Sequence, residues 1–112
     1  MDLSSKIERD VQIVTAKLDR IDAAVAIQFK DWMRDVTAGN ECRVILDLGQ
    51  VSFIDSSGLG AIVASLKQMP GGRRLDLACL QPTVEKVFRL TRMDTVFAIH
   101  RTVADGLGSG RA

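Results

Sequence analysis

Three residues could do chemistry together in this chain: Asp55, Ser56 and Ser57, set in the stretch Val51-Ser-Phe-Ile-Asp-Ser-Ser-Gly-Leu-Gly60. A serine hydroxyl can serve as a nucleophile, accept a phosphoryl group, or cap a helix. Nucleophilic catalysis needs an activating base. The single histidine, His100, follows the last predicted strand, and no Gly-x-Ser-x-Gly elbow is present. There is no Gly-rich phosphate loop with its lysine and no dinucleotide fingerprint. No catalytic residue and no cofactor are therefore expected. The two cysteines, Cys42 and Cys79, lie far apart without metal-ligand spacing. They read as core or strand-edge thiols of a reduced, cytoplasmic protein, and no metal site is expected. The acceptor and capping roles of the serines remain.

The elements that must position them follow from periodicity. Val44-Ile-Leu-Asp-Leu48 is an almost wholly apolar run and reads as a buried strand. The 51–60 stretch is then a polar tip at a strand-to-helix junction. Free N–H groups and the positive helix end there suit anionic groups. A serine at that point lies beyond the sheet edge and is exposed. Asp55 or Ser56 would accept a hydrogen bond from the first helical turn. Leu59, Ile62, Val63, Leu66 and Met69 form one apolar helical face. Gly58, Gly60, Ala61 and Ala64 keep the helix start narrow, so that its backbone can approach a strand or a partner. Pro70-Gly-Gly72 ends it.

Upstream, residues 3–9 and 11–18 read as a hairpin turning at Arg9-Asp10. From about Asp22 the period becomes helical, with Val25, Phe29, Trp32 and Val36 on one stripe, Met33 beside it, and Gly39-Asn40 as terminator. Downstream come a buried strand at Leu75–Leu80 and a short helix from Pro82 with Val84, Val87 and Phe88 inward. A last strand is placed at Val96–Ile99. The order predicts an α/β fold: a mixed, mostly parallel central sheet with an N-terminal hairpin and helices interleaved with the strands. Both faces of such a sheet need cover. Residues 1–105 form the domain, and the Gly-rich 106–112 reads as a flexible tail.

Size and charge narrow the partners. A chain of 112 residues is one domain, able to bury roughly two-thirds of its surface. Net charge is +1, from 15 basic and 14 acidic side chains, with no tyrosine and no basic run interleaved with aromatics. Arg73-Arg74, Arg89, Arg92 and Arg101 read as solvated surface, so nucleic acid is not an expected partner. No apolar run approaches the roughly 18 residues of a membrane span. The start, Met1-Asp-Leu-Ser-Ser5, has no signal-peptide character.

Asp55-Ser-Ser-Gly-Leu-Gly60, preceded by an apolar strand and the Leu48-Gly-Gln-Val-Ser-Phe53 connection, resembles the anti-sigma factor antagonists. These are the stand-alone STAS domains of bacterial partner-switching systems. The likeness extends from about Ile7 to Ile99 and includes the Leu18-Asp19 pair before the first long helix. It implies a STAS fold and a non-enzymatic protein. It also implies two partners, an ATP-using anti-sigma serine kinase and a phosphatase that resets the switch. The phospho-acceptor maps to Ser56. Asp55, Ser57, Gly58 and Leu59 map to the partner-contacting loop and helix start, and Asp19 to an acidic residue beside the site. Unphosphorylated, such a protein displaces a sigma factor from the kinase; phosphorylated, it lets go. A monomer when free is implied. Leu59 and Met93 offer an apolar contact patch, against the plainer roles of Leu59 opening the core stripe and Met93 folding under its own loop. One departure stands out: the family's Gly-Glu-Leu-Asp is here Ala16-Lys-Leu-Asp19, which inverts a charge near the docking surface. STAS domains also serve as accessory subunits of transporters and within sensory assemblies, so a non-catalytic scaffold is the alternative.

Overall fold

The N-terminal residues fold back at Arg9 and Asp10, whose φ values of 53° and 61° are those of a two-residue type I′ hairpin turn. The computed structural model describes residues 2–69 and 71–108. Strand β1 (Leu3–Glu8) runs antiparallel to β2 (Val11–Ala16), as expected. Next come a short strand β3 (Arg20–Ile21), helix α1 (Ala26–Thr37), strand β4 (Arg43–Asp47) and a second short strand β5 (Phe53–Ile54). Helix α2 (Ser56–Gln68), strand β6 (Leu75–Ala78), helix α3 (Pro82–Leu90), strand β7 (Ile99–His100) and helix α4 (Val103–Gly108) complete the order. The main sheet is ordered β1-β2-β4-β6-β7, parallel except for the hairpin, and β3 pairs with β5 in a separate parallel ribbon.

Alternation along the strands builds two cores. Val14, Ala16, Val44, Leu46, Leu75 and Leu77 face the helices, where Phe29, Met33, Ile62, Val84 and Phe88 are buried. Val11, Ile13, Ile45 and Ala78 face the other way and are closed by Leu107 of α4. Asp76 is 1% exposed on this second face. Its carboxylate accepts from Arg43 Nη1 at 2.7 Å and Arg74 Nε at 2.8 Å, and lies 2.9 Å from His100 Nε2. Arg43 Nη2 also donates to the Gly106 carbonyl at 2.7 Å, tying α4 down.

Several sequence expectations give way to tertiary packing. The first long helix starts at Ala26, not near Asp22, because Arg20 and Ile21 extend to pair with β5. Its buried line is Phe29, Met33 and Thr37, with Val25, Trp32 and Val36 half-buried alongside. On α2 the deepest face is Gly58, Ala61, Ile62 and Ser65, while Leu59, Val63 and Leu66 flank it. Small residues take the centre because α1 and the β3–β5 ribbon press closely on that face. The second helix ends at Gln68, followed by Gly71 and Gly72 with positive φ; Pro70 lies outside the described residues.

The C-terminal region differs most. Val96 is 48% exposed, and the final strand is only Ile99–His100. The chain first makes a 3-10 turn at Met93–Thr95, then buries Phe97 edge-on against Phe88, ring centroids 6.1 Å apart. The expected flexible tail beginning at Gly106 is corrected: Gly106 and Leu107 are buried in α4, while 109–112 lie outside the described residues. Arg73 and Arg74 are also not free surface cations. Arg73 donates to the Thr37 carbonyl at 2.7 Å, to Gln12 and Asn40, and to the Cys42 carbonyl. It thereby satisfies a C-terminal carbonyl of α1. Cys42 and Cys79 are free and half-buried, and burial pushes the Cys79 thiol up.

Candidate functional site

The β3–β5 ribbon carries the site. Its register sets Arg20 opposite Phe53 and Ile21 opposite Ile54, so Asp22 comes level with Asp55. Ile21 and Ile54 point inward and are buried. Arg20 and Phe53 alternate outward, the guanidinium lying 4.3 Å from the centroid of the Phe53 ring. Both strands end in a carboxylate, and α2 starts directly after the second.

Asp55 is the helix cap. Its Oδ1 accepts the Gly58 N–H at 2.8 Å, and its Oδ2 accepts the Ala23 N–H at 3.2 Å. One carboxylate thus joins the first turn of α2 to the turn that precedes α1. The Gly58 N–H above all, helped by backbone N–H groups at Ala23 and Ser57, holds its carboxyl below the usual carboxylate range. With the cap supplied by Asp55, the hydroxyls of Ser56 and Ser57 are not needed for it. Both serines are exposed, and neither makes a side-chain hydrogen bond among the described residues.

Gly58 is buried inside the domain. A Cβ there would sit 1.8 Å from the Ile21 carbonyl oxygen and 3.0 Å from Ile54 Cγ1. Its lack of a side chain lets α2 lie against β3, whereas Gly60 faces open space. Leu59 is half-buried against the main core, and so is Met93 on its 3-10 turn, where its carbonyl accepts N–H groups from Val96 and Phe97.

Asp19 lies at the other end of the ribbon from Asp55. It holds Ser52, whose Oγ donates to Asp19 Oδ1 at 2.5 Å and whose N–H donates to the Asp19 carbonyl at 2.8 Å. The acid beside Asp55 is Asp22, which accepts from the Ala24 N–H at 3.1 Å and from Arg20 Nε at 3.2 Å. Sequence reasoning missed Asp22, Arg20 and Phe53. A signal was present: Arg20-Ile-Asp22 and Phe53-Ile-Asp55 share one pattern, an exposed position, an isoleucine and an aspartate, as two paired strands ending together would. Asp55 and Gly58 are therefore brought together, Asp19 joins them only through the ribbon, and Leu59 and Met93 reach the core separately.

His100 sits on the second sheet face with Asp76, whereas α2 packs on the first, so Ser56 and His100 do not form a nucleophile–base pair. Among the described residues no cluster of three or more His, Cys, Asp or Glu could hold a metal ion, and no helix is long and apolar enough to cross a membrane.

Comparison with known proteins agrees with this architecture. An anti-sigma factor antagonist candidate from Thermotoga maritima is 29% identical and superposes with a TM-score of 0.83, covering 98% of this chain and 95% of its own. The Bacillus cell fate determinant SpoIIAA, in its phosphorylated form, is 18% identical with a TM-score of 0.67, over 97% of this chain and 99% of that one. A sulfate transporter family protein from Wolinella succinogenes has the same fold at 17% identity and a TM-score of 0.74, over 92% and 86%. The sequence model of the STAS domain matches residues 4–106. This chain belongs to the STAS domain family.

Proposed function

We propose that this chain is an anti-sigma factor antagonist whose partner binding is switched by phosphorylation of Ser56. The observation that carries the reading is the division of labour at the head of α2. Asp55 caps the helix, and the adjacent Ser56 hydroxyl is exposed and unengaged. A modifying enzyme can reach it without disturbing the fold. The likeness to antagonists, one of them known in a phosphorylated form, supports the same reading.

The switch works by charge at the docking surface. Phosphorylation adds about −1.5 to −2 charges. The Gly58 N–H is already committed to Asp55, and the added charge lies beside that carboxylate, so the phosphate projects toward the partner. A partner packed over the head of α2 would bury a dianion. An uncompensated buried charge costs roughly 3–5 kcal/mol, or roughly two to four decades of affinity. The partners are then a serine kinase that binds the unmodified form, and a phosphatase that restores it. Ser57, Leu59 and the outer edge of the ribbon at Asp19 border that surface, and Met93 lies further round on the core. Lys17, exposed where antagonists carry glutamate, sets which kinase is accepted.

Intact mass spectrometry of the protein from its native cells tests this. One added phosphate, mapped to Ser56 and absent in Ser56→Ala, is the expected result. Complete absence of the modification under all growth conditions would turn the reading to an unmodified STAS scaffold, the use suggested by the transporter-family neighbour.

A further inference from the structure

We propose that β1 is a self-association edge, through which two copies of this chain pair in an antiparallel register centred on Ile7. The main sheet has two outer strands, β1 with six residues and β7 with two. Only β1 is long enough to template another strand.

Its pairing with β2 determines which backbone groups are spare. The Lys17 N–H donates to the Asp2 carbonyl at 2.7 Å, and the register continues Leu3 to Ala16, Ser5 to Val14 and Ile7 to Gln12. Bonded and non-bonded pairs alternate along an antiparallel ladder. Ser4, Lys6 and Glu8 therefore direct their backbone groups at β2, while Leu3, Ser5 and Ile7 direct theirs outward. Ile7 is 58% exposed on the helix side. Lys6 and Glu8 are exposed together on the other side, and neither has an ion-pair partner among the described residues.

A two-fold pairing must match outward residues with outward residues, which allows centres from Leu3 to Ile7. Centred on Leu3 almost no strand overlaps; centred on Ser4, Asp2 faces Lys6 twice while Ile7 is left without a partner among the described residues. Centred on Ser5, Glu8 meets Asp2 of the second copy; centred on Lys6, the two lysines meet. Centred on Ile7, Lys6 faces Glu8 twice, and the two Ile7 side chains touch. Opposite charges across a pair stabilise it and like charges destabilise it. The strand thus complements itself in charge, and of the two attractive registers only the one centred on Ile7 also joins the exposed Ile7 side chains, which makes a second copy of the chain the occupant. So short a contact buries much less than the roughly 1,000 Å² of lasting interfaces, so the dimer forms at high protein concentration and the dilute protein is the monomer.

Sedimentation velocity on the full chain at low ionic strength, from micromolar to millimolar concentration, tests the proposal. The wild type should dimerise, and added salt should weaken the dimer. Lys6→Glu and Glu8→Lys each oppose like charges at both pairs and should weaken association about tenfold or more. An equimolar mixture of the two restores both attractive pairs and should dimerise like the wild type. Far-UV circular dichroism checks that these exposed substitutions leave the fold intact. A wild type that stays monomeric throughout overturns the proposal and makes Lys6 a guard of the edge. A dimer indifferent to both substitutions, or a mixture that fails to recover, overturns it as well.

Discussion

Gly58 and Gly60 stand two residues apart on the same helix and have opposite roles. At Gly58 a methyl group would collide with the Ile21 carbonyl, while at Gly60 it would meet nothing. Gly58→Ala should therefore destabilise the domain by about 3 kcal/mol, and Gly60→Ala should stabilise it by about 0.5–1 kcal/mol. Urea denaturation of both variants measures the contrast. A small effect at Gly58 would mean that α2 can move off β3. At Asp55 the expectation concerns acid. Its folded-state pKa is depressed, chiefly by the Gly58 N–H, so its contribution is fully present above the unfolded carboxylate pKa of about 3.9. That contribution is lost as pH falls through the lower, folded value. Asp55→Asn keeps an oxygen for the Gly58 N–H but cannot titrate. Thermal melts below about pH 4 should fall less steeply for this variant than for the wild type.

Among the elements, α4 is the one whose existence depends most on the rest of the molecule. Six residues with two glycines do not form a helix alone. It persists because Leu107 covers Val11, Ile13, Ile45 and Ala78, and because Arg43 holds the Gly106 carbonyl. Gly106 is needed for the approach, since a Cβ there would lie 2.9 Å from Ile45 Cδ1 and 3.0 Å from His100 Cδ2. Leu107→Ala should cost about 2 kcal/mol and raise hydrogen exchange in β2 and β4. A variant as stable as the wild type would show that the second face tolerates water. The β3–β5 ribbon is the other dependent element. Two residues per strand are too few to stand alone, and the ribbon is anchored by buried Ile21 and Ile54 and by the Asp19–Ser52 bonds. It holds the head of α2 in place, so the candidate modification site inherits its rigidity from packing.

Across the whole molecule, Asp76 joins three strands that lie far apart in sequence. It brings Arg43 of β4, Arg74 just before β6 and His100 of β7 to one buried carboxylate. Removing it takes the buried carboxylate away from Arg43, 15% exposed, whereas Arg74, 45% exposed, can turn to water. Asp76→Ala should cost roughly 3–5 kcal/mol, far more than breaking the exposed Arg89–Glu85 pair on α3, worth about 0.3–0.5 kcal/mol. Guanidinium chloride is a poor choice for this comparison because it screens charge; urea melts of the two variants give the contrast. Similar losses would mean that Asp76 is solvated. None of these changes touches the Ser56 hydroxyl, so a partner assay on the stable variants separates folding effects from docking effects.

The residues alone determined the hairpin, the strand–helix alternation and the exposed serines at the head of α2. Each depends on local turn chemistry or on a hydrophobic period that short segments carry by themselves. Val44–Leu48 reads as a buried strand from its length and apolar run, and Asp-Ser-Ser-Gly suits the opening of a helix next to it. Tertiary structure decided which residue caps that helix, that Asp22 and not Asp19 lies beside Asp55, and that Gly58 belongs to the interior. It also turned the Gly-rich end into a packed helix. These outcomes depend on register between segments thirty residues apart and on how closely two backbones approach. Pairing energies of that kind are shared between distant positions, and no single stretch of the chain contains them.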